Sequence, residues 1–176
     1  WQPQRGGGGK YITSVENHLA FSLNKRQNNP SYTAIVRMLK QWKNYKELKP
    51  TDNEGGISSF GIELIVAYLD ENHGIESNIE ESIIRFFQFV SGSNFPNIKF
   101  GHAINTIPQF STPIYIADDT NNENNAAKKI DISKWNEIVE EAEKAFDTLN
   151  YAQSIKTEGT TIDEWKTVFG PTFNIK

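Results

Sequence analysis

Arg37-Met38-Leu39-Lys40-Gln41-Trp42, followed beyond Gly55-Gly56 by Ile57-Ser58-Ser59-Phe60-Gly61-Ile62-Glu63-Leu64, is the stretch whose reading decides the fold. Pro30 introduces a helix over roughly 31–47, because Ile35, Val36, Leu39 and Trp42 recur at helical spacing. Lys40, Lys43 and Lys46 lie off that apolar stripe. The glycine pair breaks the chain, and Ser58 or Ser59 caps a second helix that runs to about Asn72. Ile62, Leu64, Ile65, Val66 and Leu69 make that helix apolar nearly all round, which places it at the centre of the domain.

Outward from this pair the pattern stays helical. Ser77 and Glu80 read as a capping box for a third helix through Phe89. Two β-like runs follow, Ile98 to Phe100 and Pro113 to Ala117, with loop between and after them, including the polar tract from Thr120 to Asn125. A fourth helix over 133–151 carries Trp135, Ile138, Val139, Ala142 and Phe146 on one face. Thr161 and Glu164 read as a second capping box for a short last helix, which Gly170-Pro171 stops. Residues 1–28, with glycine at 6–9, read as irregular. The expected architecture is mainly α, a helical bundle with short β segments. Residues 1–29 serve as a connecting segment and 30–176 as the helical domain.

Composition narrows the function classes. Hydrophobic residues make up 37% and charged residues 23%, ordinary for a globular domain. No apolar run approaches the roughly 20 residues of a membrane helix. Cysteine is absent, which removes disulfide and thiolate chemistry and fits a cytoplasmic setting. A net charge of −4 and a pI near 5.4 argue against extended nucleic acid as a partner of the whole surface. Basic residues nevertheless cluster from Lys25 to Lys49, and the acidic excess falls within 118–147. Met38 is the only methionine, so the chain is expected to be part of a longer protein.

Generic catalytic signatures are missing. His18, His73 and His102 are isolated, without metal-ligand spacing. Lys10 after the glycines invites a phosphate-loop reading, but Tyr11 stands where that motif needs Ser or Thr. Asp118-Asp119 is a carboxylate pair, although the turn preference of aspartate favours a solvated turn over metal binding. What remains is an anion site built from the two helices. The N-terminus of the second helix exposes unpaired N–H groups and the positive end of its dipole, with the Ser59 hydroxyl beside them. Lys40 would add a full charge, and Phe60 a flat surface for a base. The bland alternatives are a surface lysine, a plain N-cap and a buried phenylalanine; Trp42 is read as core.

The R-x-x-K-x-W helix followed by S-[SYF]-x-x-E-L resembles 2′-5′-oligoadenylate synthetase and its bacterial relatives, the cGAS/DncV-like nucleotidyltransferases of anti-phage signalling. The resemblance continues through Pro113-Ile114-Tyr115-Ile116-Ala117-Asp118, then Asn124-Asn125-Ala126-Ala127, then Trp135 with Glu140-Glu141-Ala142. Asp119 departs from it, since the family has proline there. The resemblance implies the C-terminal half of a polymerase-β-like nucleotidyltransferase, whose α/β core with its catalytic carboxylates lies upstream and outside this chain. It further implies a cyclic or linear oligonucleotide product made from ATP and possible further NTPs such as GTP, and Mg²⁺ held by that absent core. Lys40 and Ser59 would contact the triphosphate and Phe60 would stack on the base, with Arg37 and Asp118 as further candidates. No catalytic residue and no metal ligand is assigned to this chain, and none of the activity is expected from it alone. The rival readings are a poly(A)-polymerase-like RNA nucleotidyltransferase and a non-catalytic helical interaction domain.

Overall fold

The computed structural model describes residues 2–3, 10–11, 14–52, 54–74, 78–104, 112–155 and 157–173. A two-residue antiparallel pair opens it, β1 (Gln2–Pro3) with β2 (Lys10–Tyr11). Four helices follow: α1 (Val15–Asn28), α2 (Tyr32–Tyr45), α3 (Ser59–His73) and α4 (Ile79–Gly92). A small sheet comes next, β3 (Asn97–Ile98), β4 (Tyr115–Asp118) and β5 (Asn121–Asn125), then α5 (Ile132–Ser154) and α6 (Glu158–Phe169). The fold is mainly helical, as the sequence implies.

The core forms where the stripes predict it. Ile35, Leu39 and Trp42 of α2 are fully buried, as are Ile62 and Ile65 of α3. Trp42 meets Phe87 of α4 edge-to-face at 5.0 Å, and α4 lies along α5, with Ile83, Phe86, Trp135 and Ile138 of the two helices all buried. α3 begins where expected, with the Ser58 hydroxyl accepting from the Gly61 N–H at 2.9 Å, which leaves Ser59 as the first helical residue. The loop before it passes so close to α5's approach that a Cβ on Gly55 would lie 1.7 Å from the Lys129 carbonyl oxygen. Gly170 ends α6 at φ +98° against the Tyr45 ring, a conformation that side-chain-bearing residues rarely adopt.

Four expectations are corrected. Residues 15–28 are helix, not irregular: Ser14 caps α1 by accepting from the Asn17 N–H at 3.2 Å, and Lys25 and Arg26 suit its C-terminal turn. Ser77 lies outside the described residues, as does the glycine run 6–9; the cap of α4 is Asn78, whose side chain accepts from the Glu80 and Glu81 N–H groups. Thr161 sits inside α6, which starts a turn earlier after Thr157, and its hydroxyl bonds back to the Thr157 carbonyl.

The fourth correction concerns the polar tract. It is a buried strand, not a solvated loop. β4 pairs with β3 in parallel (Tyr115 with Asn97) and with β5 antiparallel, with an irregularity at Ala117/Asp118. Asn122 accepts from the Phe100 N–H at 3.0 Å and donates to the Phe100 carbonyl at 2.9 Å, so its amide replaces a neighbouring strand. Asn125 accepts from the Ile116 and Ala127 N–H groups at 3.1 and 2.8 Å and donates to the Ile114 carbonyl at 2.9 Å. Buried asparagines are stable here because both ends of each amide are satisfied.

Candidate functional site

α2 and α3 pack antiparallel, and their polar residues form rungs. The Lys43 ammonium donates to the Ser59 hydroxyl at 3.2 Å, and Lys40, nearly one turn earlier on α2, meets the Glu63 carboxylate at 3.1 Å, one turn later on α3. Lys43, not Lys40, is therefore the cation at the opening turn of α3. Lys43 is buried and its only described partner is a neutral hydroxyl. Burial, with Lys40 and Lys49 nearby, holds its ammonium below the usual lysine value.

Glu63 gathers the next rung. It accepts from the Ser22 hydroxyl of α1 at 3.0 Å as well as from Lys40, and Tyr32 donates to its backbone carbonyl at 3.4 Å. Burial alone would push the Glu63 carboxyl up; the Lys40 contact and the Ser22 hydroxyl outweigh it and hold the group below its ordinary value. Burial and the Glu63 charge push the Tyr32 phenol upward.

Phe60 is half-buried beside His18, with ring centroids 4.9 Å apart and nearly perpendicular. His18 Nδ1 lies 2.7 Å from Oδ1 of Asp119, whose side chain is fully buried and whose Oδ2 has no partner among the described residues. The hydrogen bond to Asp119 raises the imidazole above its ordinary value; burial opposes this, and the charges of Asp119, Glu63 and Asp118 add to it. Asp118 is folded into its own turn, accepting from the N–H and hydroxyl of Thr120 at 2.8 Å each. The two adjacent aspartates thus make different contacts.

Arg37 is exposed. With Lys40 it lines two clefts, one of about 170 Å³ that also touches Arg26 and Glu63, and one of about 490 Å³ reaching Tyr45 and Phe169. Among the described residues no three His, Asp or Glu side chains converge as a metal cage would require. No described helix is long and apolar enough to cross a membrane.

No protein-family model matches the chain. It is 31% identical over 176 residues to the CBASS oligonucleotide cyclase CdnC of Escherichia coli strain KTE188, covering 100% of this chain and 52% of that protein. It is 30% identical over 173 residues to the cyclic AMP-AMP-AMP synthase of E. coli strain MS 115-1, covering 92% of this chain and 51% of that one. The solved structure of E. coli MS115-1 CdnC with ATP superposes with a TM-score of 0.82 at 29% identity, over 92% of this chain and 52% of its own. The complex of that CdnC with HORMA-deltaN gives a TM-score of 0.79.

The chain is similar along its whole length to a part of these cyclases. It spans about half the length of the curated relatives it matches. The sequence singles out Lys40, Ser59 and Phe60; in the structure Lys40 meets Glu63, Ser59 meets Lys43, and Phe60 lies against His18 of α1. Lys43, Glu63, His18 and Asp119 escape the sequence reading. The spacing of Lys43 from Lys40 was the available signal: three residues apart, both lysines share one helix face, and an antiparallel partner sends the later one to the earlier turn of α3.

Proposed function

We propose that this chain is the donor-nucleotide-gripping half of a template-independent nucleotidyltransferase that makes a cyclic oligonucleotide second messenger from NTPs. The observation that carries the reading is Lys43. It is a buried cation with no described anionic partner, at the first turn of α3, against a hydroxyl that faces out. A phosphate arriving there supplies the counter-charge that burial and the neighbouring lysines deny it, and the α3 N-terminus adds its dipole. Ser59 donates its hydroxyl proton to a phosphate oxygen once Lys43 occupies the hydroxyl's lone pair. Lys40 stands one rung further along, its charge divided between Glu63 and the site. Phe60 offers its ring to a base at the end of the same turn.

The relatives' names and the ATP in the neighbouring CdnC structure support ATP as a substrate. Nucleotidyl transfer needs metal ions to neutralise the developing charge and activate the attacking hydroxyl. On this reading Mg²⁺ is held outside this chain, by the part of the enzyme that carries the catalytic carboxylates. The chain by itself is inactive on this reading. Its own residues bind and orient the donor; they do not activate the nucleophile.

Calorimetric titration of ATP into the complete enzyme tests the site. Lys43→Ala, and separately Lys40→Ala, should weaken binding roughly ten- to a hundredfold, about 1.5–3 kcal/mol, the scale of a charge-assisted hydrogen bond. Unchanged affinity in both variants would sink the assignment.

A further inference from the structure

α1 docks on the domain through a mostly polar face. Its buried residues are Ser22 and Lys25. Its inward polar contacts are Ser22 to Glu63, His18 to Asp119, and Lys25 to Asp70 and Glu71 at 2.7 and 3.4 Å, and its one inward apolar contact of note is Phe21, edge-to-face on Phe100 at 5.7 Å. Val15, Leu19 and Leu23, spaced four residues apart on one helix face, point outward at 49%, 62% and 53% exposure. Ile104, 53% exposed, flanks the head of this stripe: its N–H bonds the Thr120 carbonyl, while the Ser14 N–H bonds the Thr120 hydroxyl. A surface helix normally turns such a stripe to the core. The other exposed large hydrophobics, such as Tyr45, Phe95 and Tyr151, stand singly on different parts of the chain. Among the described residues, only α1 aligns three of them.

We infer that the Val15–Leu19–Leu23 stripe is the seat on which the N-terminal half of the enzyme packs, through an apolar face of its own; the inference rests on the reading of this chain as one half of a nucleotidyltransferase. The relatives are matched over 52% of their length, and on that reading the counterpart of the remainder is what meets this domain. A second copy fits poorly. A stable interface between separate proteins buries about 800 Å² per partner, far more than three side chains on one helix provide. A covalently linked half needs much less contact, because its effective concentration is already high. The seat also has a use: α1 carries His18 and Ser22, so a partner resting on its outer face presses these two residues toward Phe60 and Glu63.

The test is a thiol placed at the stripe. In the complete enzyme, Leu19→Cys should react with a maleimide on the order of a hundredfold more slowly when folded than in urea, equivalent to a local opening cost of about 2.8 kcal/mol. That protection should not change on dilution, and Leu23→Cys should repeat it. Labelling as fast in the folded enzyme as in urea overturns the inference. Protection that disappears on dilution also overturns it, in favour of a second copy. ATP titration of the same preparations separates the two readings: a covered thiol without ATP binding removes the nucleotide site and leaves the seat, whereas ATP binding with an open thiol removes the seat alone.

Discussion

α3 is held differently on its two sides. Toward α4 and α2 it packs through buried apolar residues such as Ile62 and Ile65 into the core that holds Trp42, Phe86 and Phe87, in contacts that are non-directional and add up with area. Toward α1 it is held by ion pairs and hydrogen bonds: Lys25 with Asp70 and Glu71, Ser22 with Glu63, and His18 with Asp119 across the way. The first side fixes the fold and is indifferent to pH and salt. The second is directional, screened by salt and sensitive to protonation, so it can be re-formed when a charged ligand arrives. The proposed site runs along the α2–α3 seam beside it, where Lys40 meets Glu63 and Lys43 meets the Ser59 hydroxyl.

The apolar side should break hardest. Phe87→Ala empties a space among Trp42, Phe86 and Phe169 and should cost about 3–5 kcal/mol in urea unfolding, affecting the whole domain. On the polar side, Lys25→Ala takes the ammonium from Asp70 and Glu71, leaving Glu71 with His102 at 3.7 Å. Because those carboxylates keep some solvent access, the loss should be about 2 kcal/mol, and it should appear first as faster hydrogen exchange in α1 while α4 and α5 keep their protection. A loss spread equally over all helices would erase the distinction between the two sides.

The smallest effect is the one that depends on pH. His18 has a folded pKa raised above the ordinary 6.5, so the folded state binds the proton more tightly than the unfolded state does. Its stabilising contribution is therefore complete below about pH 6.5 and disappears as pH rises through the folded value. Wild type minus His18→Asn, followed by urea midpoint, should show about 1 kcal/mol more stability on the acid side, fading toward alkaline pH. A flat difference would mean that the imidazole is a spacer and that Asp119 does not hold its proton.

The same division explains what the sequence made legible. Ile35, Val36, Leu39 and Trp42 announce α2 because its buried residues are apolar, and Trp135, Ile138 and Ala142 do the same for α5. α1 inverts the rule: Ser22 and Lys25 are inside and Leu19 and Leu23 outside, so periodicity points its core face the wrong way. Ser58 and Ser59 were both credible caps, and only the observed bond to Gly61 separates them. The polar tract was missed for a related reason. Composition treats asparagine as a solvated residue, yet Asn122 and Asn125 are placed by backbone groups of Phe100, Ile114 and Ile116 that lie far from them in sequence. Lys40, Ser59 and Phe60 were legible as types at a spacing; the pairing of Lys40 with Glu63 is tertiary and has no local signal.

Asn125 has a chemical consequence. Its amide is an oriented dipole, oxygen toward two N–H groups and nitrogen toward the Ile114 carbonyl. Deamidation, or the nearly isosteric Asn125→Asp, would keep the oxygen's bonds and set a second acceptor against that carbonyl, with a charge in a buried position. A stretch whose composition looks like low-complexity filler therefore resists even the replacement of one nitrogen by one oxygen, and spontaneous ageing of this side chain would damage the sheet before it changed the shape of any helix.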